Sequence, residues 1–184
     1  MLTIDQFTQG LSAIPEKDFT RERVDRYLRE SRVEPASLTP YLHYTATHYT
    51  RNLIYRCALF ELMAICWEVG QVSRIHNHAG QRCWMAVPIG RLAVQNYEVV
   101  GMDAATAFCE LREADRLEMD VAHPAYVQQE RPIHAVLNLA EYAQRATSLH
   151  VYSRPYDRCL AYSKEEKKYG EVPLFFDTEY GKPR

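Results

Sequence analysis

The fold of this chain is decided by one stretch, Gly70-Gln-Val-Ser-Arg-Ile-His76-Asn-His78-Ala-Gly-Gln-Arg-Cys83-Trp-Met-Ala-Val-Pro-Ile-Gly90. Side chains alternate between the two faces of a strand, so two imidazoles separated by one residue lie on the same side. The glycines at both ends favour turns, and the β-branched and apolar residues between them favour strands. His76 and His78 are therefore predicted to form half of a metal site on an extended strand. Two surface histidines without a shared role are the alternative for this pair taken alone.

Length and composition indicate one compact domain that binds neither nucleic acid nor a membrane. The chain has 184 residues, of which 47% are apolar, and one core of this size buries about 70% of the unfolded surface. Its 22 basic and 24 acidic residues give a net charge of −2, without a basic stripe that would bind phosphates. No apolar run approaches the ~20 residues of a membrane span, and the N-terminus has no signal-peptide pattern. We expect a cytoplasmic enzyme, for which a monomer is compatible with the sequence.

The cysteines do not predict a disulfide scaffold or a zinc ribbon. They form an odd set without the paired spacing of zinc ribbons. The five residues are Cys57, Cys66, Cys83, Cys109 and Cys159. Most of them are predicted to be buried, reduced thiols.

The order of elements predicts short helices followed by a mainly β domain. Apolar residues at helical spacing indicate two short helices between about residues 3 and 30, broken at Pro15, with Asp18 as the N-cap of the second. Prolines and a serine between Pro35 and Tyr41 predict a linker with at most one helical turn. Strands are predicted at 50–56, 58–67, 82–88, 91–99, 105–112, 133–138, 147–153 and 158–163. Many short strands indicate an antiparallel sandwich or barrel, so we expect a helical extension of residues 1–42 packed on a barrel of residues 43–184.

A third metal ligand is predicted on the strand at 133–138, far from the first two in sequence. His134 lies there, and ligands from two distant strands would tie a barrel together and leave coordination positions open for chemistry. Taken alone, His134 is more often a histidine of the core. His123 and His150 are rivals for this role, but His123 precedes Pro124 in a predicted turn and His150 has polar neighbours of its own.

These segments together resemble the cupin superfamily and, within it, the cysteine dioxygenase (thiol dioxygenase) family. The first cupin motif is Gly-x5-His-x-His-x(3,4)-Glu-x6-Gly, and the histidine pair and both flanking glycines fall in its register. Cys83 stands where the usual metal-binding glutamate lies, and this substitution is the signature of the family. The His-x3-Asn end of the second motif is matched by His134 and Asn138, although its Pro-x-Gly beginning is not evident. The matches span residues 49–159.

The resemblance implies a mainly β cupin barrel (a double-stranded β-helix or jelly roll) with short N-terminal helices. It also implies a mononuclear non-haem Fe(II) held by His76, His78 and His134, and oxidation of L-cysteine by O2 to cysteine sulfinate. The chemistry of the residues is compatible with this reaction. Three neutral imidazoles leave the charge of a divalent metal uncompensated, which favours a thiolate ligand from the substrate.

Polar residues around the predicted metal site supply candidate catalytic groups. Ser148, His150 and Tyr152 alternate, so they lie on one face of a strand and can form a hydrogen-bond relay that orients the Tyr152 hydroxyl. A solvated polar face is the alternative. In the family, a cysteine at the position of Cys83 can be joined through its sulfur to the ortho carbon of the tyrosine that matches Tyr152. The resemblance thus implies a thioether cross-link as well.

Substrate specificity is predicted from one further match to the family and from one departure from it. Arg51 matches the carboxylate-binding arginine of the family, and Tyr49 is predicted to support the same anion from the same strand face; a surface arginine is the alternative. Ser153-Arg154 replaces the Ser-Pro of mammalian-type members, whose bond is cis. We predict a trans bond here, because a cis bond before a non-proline residue costs ~2.5–4 kcal/mol.

Three alternatives remain open from the sequence. Relatives that oxidise 3-mercaptopropionate also lack that proline, but they typically carry glutamine in place of Arg51 and no cysteine at the position of Cys83. A dioxygenase of 3-mercaptopropionate or of a broader range of small thiols is therefore the first alternative. The others are a different metal-dependent cupin enzyme, such as a Zn- or Mn-dependent isomerase, and a non-catalytic cupin that senses a small ligand.

Overall fold

The computed structural model describes residues 1–126 and 132–183, which form a β-barrel with short helices on one side. The α-helices are α1 (Ile4–Ser12) and α2 (Arg21–Glu30). Short 3₁₀ helices lie at Glu16–Asp18, Pro35–Tyr41 and Ala140–Tyr142. The strands are β1 (Thr50–Arg56), β2 (Glu61–Trp67), β3 (Ile75–His76), β4 (Arg82–Ile89), β5 (Leu92–Asp103), β6 (Phe108–Met119), β7 (Ala125–Tyr126), β8 (Ile133–Leu137), β9 (Ala146–Ser153), β10 (Arg158–Ser163), β11 (Lys168–Pro173), β12 (Thr178–Glu179) and β13 (Lys182–Pro183).

Two sheets enclose the core of the barrel. One sheet has the strand order β13-β12-β1-β2-β9-β4-β7, and the other has the order β10-β11-β6-β5-β8-β3 and closes through pairing of β3 with β10. Inward side chains of β2, β4 and β9 pack against those of β5, β6 and β8 between the sheets. The predicted fold class, a mainly β barrel with short N-terminal helices, is confirmed.

The helices cover the outer face of the first sheet. Phe7 and Leu11 of α1 and Val24 of α2 are buried against the side chains of β2 that point away from the barrel, such as Leu62. Alternation along β2 thus buries one face under the helices and the other inside the barrel. The division of the chain at residue 42 stays a prediction. No helix in the described part of the chain is long and apolar enough to cross a bilayer.

The predicted cap of the second helix and the predicted linker are wrong. Thr20, not Asp18, caps α2, because its side chain accepts a hydrogen bond from the backbone N–H of Arg23 while Asp18 lies in the preceding 3₁₀ turn. The segment Pro35–Tyr41 is helical throughout its 7 residues. Ser37 anchors it, since its hydroxyl donates to Glu34 O at 2.7 Å and accepts from the backbone N–H of α1 at 2.9 Å.

The bond between Ser153 and Arg154, predicted to be trans, is cis. Its surroundings make contacts that the sequence does not show. The Ser153 hydroxyl donates to Leu59 O at 2.8 Å, and the backbone N–H of Arg154 donates to Gln81 Oε1 at 2.6 Å. The prediction rested on the general preference for trans bonds before residues other than proline, and this bond is an exception to it.

Gly90, the glycine that closes the His-x-His stretch, is required by the packing of β4 against β9. Its φ is +76°, and a Cβ atom there would lie 2.4 Å from Arg145 O and 2.9 Å from the Cα of Ala146. We expect Gly90→Ala to lower the free energy of unfolding by about 1–3 kcal/mol, as measured by urea denaturation. The control is Gly170→Ala, since a Cβ at Gly170 meets nothing within 4 Å. Equal losses in the two variants would contradict this account of Gly90.

Candidate metal centre and active site

Three imidazoles meet between the sheets of the barrel. His76 of β3 lies directly opposite His134 of β8, and His78 follows β3 after one intervening residue. One nitrogen of each ring lies within 4.8 Å of the corresponding nitrogens of the other two. The expectation of a single strand carrying both histidines is wrong in detail, since β3 ends at His76. The structure nevertheless brings all three side chains to one point.

The ring nitrogens of this triad fit a divalent metal ion. Both nitrogens of His78 and of His134 are buried and have no hydrogen-bond partner among the described residues. His76 Nδ1 donates to Arg74 O at 2.8 Å, which leaves the lone pair on Nε2. Burial lowers the pKa of His76 to about 4 and holds the pKa of His78 and His134 well below the ordinary value. Neutral imidazoles with unshared lone pairs are suitable metal ligands, and metal binding would give one buried nitrogen of each ring a partner.

A hydrogen-bonded row leads along β9 toward the triad. Ser148 Oγ lies 2.9 Å from His150 Nε2, and His150 Nδ1 lies 2.9 Å from the Tyr152 hydroxyl. Trp67 Nε1 donates to Ser148 Oγ at 3.0 Å, and an indole N–H can only donate. Ser148 can therefore donate to His150, which then donates to Tyr152 and leaves the Tyr152 hydrogen available to the site. Burial keeps His150 and Tyr152 neutral, because it lowers the pKa of His150 to about 3 and raises the pKa of Tyr152.

Cys83 lies beside the end of this row. It is directly opposite Tyr152 in the pairing of β4 with β9, a relation that brings Cβ atoms to about 4.5–5.5 Å. Its thiol is free and fully buried. Burial raises the pKa of the Cys83 thiol, and a hydrogen bond with the Tyr152 side chain opposes that rise. The two residues of the predicted cross-link are thus neighbours.

Arg51 lines an open cavity of about 780 Å³ that reaches His76. Its Nε donates to Phe175 O at 3.1 Å, and its backbone N–H donates to Asp177 Oδ2 at 2.8 Å. Among the described residues, no group accepts a hydrogen bond from its two terminal nitrogens. Tyr49 also lines the cavity, but it precedes β1 and stacks on Trp67 with ring centroids 4.5 Å apart. The cavity therefore links the histidine triad to a cation whose two terminal nitrogens have no acceptor among the described residues.

One rival candidate lies away from the triad, and two residues near the site were not predicted. His123 is exposed and pairs with Asp120 at 2.8 Å, away from the triad. Sequence reasoning missed Trp67, although it alternates with buried residues of β2, and it missed Tyr156. The Tyr156 ring lies 5.2 Å from that of Tyr152 and 6.3 Å from that of His78. Tyr156 lies in a turn after β9, where no periodic pattern could have indicated it.

A known family and several known proteins resemble this chain. The sequence model of the family described as "Cysteine dioxygenase type I" matches residues 7–165. Cysteine dioxygenase type 1 of Rattus norvegicus is 27% identical over 161 residues, which cover 87% of this chain and 78% of the rat protein. The Homo sapiens protein of the same name is 26% identical over 161 residues, with the same coverage of 87% and 78%. A Klebsiella pneumoniae protein with a double-stranded β-helix domain has a TM-score of 0.47 and 12% identity, covering 78% of this chain and 92% of that chain. Because the family model matches most of its length, the chain belongs to the cysteine dioxygenase type I family of enzymes.

Proposed function

We propose that the protein is a non-haem Fe(II) dioxygenase that oxidises L-cysteine with O2 to cysteine sulfinate. The observation that carries this proposal is the triad of His76, His78 and His134, each with a ring nitrogen that has no hydrogen-bond partner among the described residues, beside a cavity that Arg51 also lines. Family membership supports the thiol dioxygenase reaction over a different metal-dependent cupin enzyme and over a ligand-sensing cupin. A cytoplasmic location stays a prediction from the sequence.

His76, His78 and His134 are the proposed iron ligands. Bound Fe(II) would supply the one-electron chemistry that O2 needs in order to react with a thiolate. Three uncharged imidazoles favour an anionic sulfur from the substrate, because they leave the charge of the metal uncompensated. A substrate thiolate would thus take the role that the glutamate of other cupins has.

The remaining residues are proposed to orient the substrate and the reacting oxygen. The terminal nitrogens of Arg51 form a planar fork that suits a carboxylate, and Tyr49 supports the same anion. The row from Ser148 through His150 fixes the Tyr152 hydroxyl with its hydrogen toward the site, where it can donate to the substrate carboxylate or to O2. Both supporting groups are buried, so the Tyr152 hydroxyl is held in one orientation.

A dioxygenase of 3-mercaptopropionate or of several small thiols is the second candidate, because Arg154 stands where mammalian-type members have proline. Arg51 and Cys83 favour cysteine. Oxygen consumption by the iron-loaded protein with cysteine, 3-mercaptopropionate and cysteamine tests the choice, with zinc-loaded protein as the control. We expect the highest kcat/KM with cysteine. A higher value with 3-mercaptopropionate would support the second candidate, and no thiol-dependent uptake would contradict both.

Cys83 and Tyr152 are predicted to become linked during turnover. Formation of a bond between the Cys83 sulfur and the ortho carbon of Tyr152 removes two hydrogens, with O2 as the oxidant. Peptide mass mapping of protein exposed to cysteine and air should therefore find a linked pair lighter by two hydrogens. Because the link fixes the ring without creating the metal site, Cys83→Ser should slow turnover by about tenfold and not abolish it.

The control for this prediction is Cys57→Ser, which changes a half-buried thiol outside the cavity. We expect that variant to keep both the linked peptide and the turnover rate. Finding both Cys83 and Tyr152 always unmodified after turnover would rule the link out.

A further inference from the structure

The carboxyl group of Glu61 is buried inside the barrel. Glu61 alternates with Met63 on the inward face of β2, and its side chain is 0% exposed. Within the described residues, neither carboxyl oxygen has a hydrogen-bond partner. Its Cα lies directly opposite that of Tyr152 in the pairing of β2 with β9. A buried carboxylate without a hydrogen bond is costly, so the presence of this group requires an explanation.

Charged groups connect Glu61 to the solvent on one side and to Arg51 on the other. Arg56 Nε lies 3.4 Å from Glu61 Oε2, and Arg56 Nη2 lies 2.8 Å from Asp157 Oδ1. Side-chain exposure rises along this row from 0% at Glu61 through 31% at Arg56 to 76% at Asp157. Arg51 is the second cation that acts on Glu61, and Glu61 in turn acts on both Arg51 and Tyr152.

These neighbours compete in setting the protonation of Glu61. Burial raises the pKa of Glu61 to about 7, Arg56 and Arg51 oppose that rise, and Asp157 adds to it. The carboxyl group of Glu61 therefore changes charge near neutral pH. Glu61 and Arg51 therefore favour each other's charged forms.

We propose that Glu61 is a positioning residue that shares the charge of Arg51 with the substrate, so that binding of a carboxylate-bearing thiol is accompanied by uptake of a proton at Glu61. The substrate part of this inference rests on the proposed function. When Glu61 is ionised, it compensates the charge of Arg51. A substrate carboxylate that binds Arg51 places a second negative charge near Glu61, which favours its protonated form.

Protonation of Glu61 and binding of the substrate carboxylate favour each other. Below the midpoint of the Glu61 titration, Glu61 is neutral, the charge of Arg51 is fully available, and the carboxylate binds tightly. Above the midpoint, the ionised Glu61 competes and binding weakens. The KM for cysteine should therefore rise with pH through this range, by about five- to tenfold between pH 6 and pH 8, relative to Glu61→Gln. Cysteamine has no carboxylate, so its KM should not show this difference between wild type and variant.

The direct test is a ¹³C NMR titration of zinc-loaded protein that carries ¹³C at the glutamate carboxyl groups. Comparison with Glu61→Gln, which keeps the shape of the side chain, assigns the signal of Glu61. We expect a midpoint near neutral pH that rises by about one pH unit with saturating cysteine and does not change with cysteamine. This readout needs no turnover.

Substitutions of two residues near Glu61 separate this role from a purely structural one. Asp157→Asn removes a charge that favours protonation, so the midpoint of Glu61 should move to lower pH. Arg56→Gln removes a cation that favours ionisation, so the midpoint should move to higher pH. A midpoint that cysteine leaves unchanged, or that both substitutions shift in the same direction, would overturn the inference even if the protein oxidises thiols. A midpoint that responds as expected would support it even if no oxygen is consumed.

Discussion

Replacement of His134 by alanine is expected to remove the iron and almost all thiol-dependent oxygen uptake. Two imidazoles are a weak chelate, so the variant should retain less than about a tenth of the iron of the wild type after reconstitution. A bound metal contributes several kcal/mol to such a reaction, so turnover should fall on the order of a hundredfold or more. Alanine at His76 or His78 should have the same effect. Iron per protein, measured by elemental analysis, and oxygen uptake check the result.

The matched control is His123→Ala. His123 has a 72% exposed side chain and pairs only with Asp120 among the described residues, so its loss should leave iron and turnover unchanged. A triad variant with stoichiometric iron and full turnover would remove that histidine from the ligand set.

Arg51→Ala is expected to lower kcat/KM for cysteine by ten- to a hundredfold. Hydrogen bonds to charged groups contribute ~1.5–3 kcal/mol, and the carboxylate would lose a bidentate partner. Cysteamine, which has no carboxylate, should be much less affected. Arg51→Lys should recover part of the loss, because lysine restores the charge but not the planar fork. Steady-state oxygen uptake with both thiols provides the measurement.

Arg74→Ala is the matched control for Arg51, since Arg74 lines the same cavity but is exposed. Exposed charges are screened by salt and solvent, so we expect a change of less than about threefold. Equal losses on cysteine and cysteamine in Arg51→Ala would mean that Arg51 supports the fold and not the substrate.

Strands with one buried face could be predicted from the sequence. Strands that are defined only by pairing with a neighbouring strand could not be predicted. The run at 50–56 is β1, because its apolar residues fill the core. By contrast, β6 was predicted at 105–112 and extends over Phe108–Met119, since its charged outer half is held by pairing with β5. The strand Lys168–Pro173 was missed, because its glycine and proline oppose a strand and only its pairing with β10 creates one. Strands of two residues, such as β12, carry no pattern.

The site was predictable where spacing encodes it. The alternating Ser148, His150 and Tyr152 lie on one strand, as their spacing predicts. The spacing of His76 and His78 indicated a shared site, although only His76 lies on a strand, and His134 could be found from its strand. Glu61 was overlooked, although a carboxylate between Phe60 and Leu62 in an apolar run is itself a signal of an unusual buried group. What the sequence could not supply is the pairing of distant strands, which places Glu61 opposite Tyr152.

The most direct test of the proposed reaction is oxygen labelling of the product. Iron-loaded protein is incubated with L-cysteine under ¹⁸O2, and the product is identified by mass spectrometry while oxygen uptake is recorded. We expect cysteine sulfinate in which both oxygen atoms on sulfur carry the label, with one O2 consumed for each cysteine. Unlabelled cystine as the product, or sulfinate that has taken its oxygen from water, would contradict the assignment of the protein as a cysteine dioxygenase.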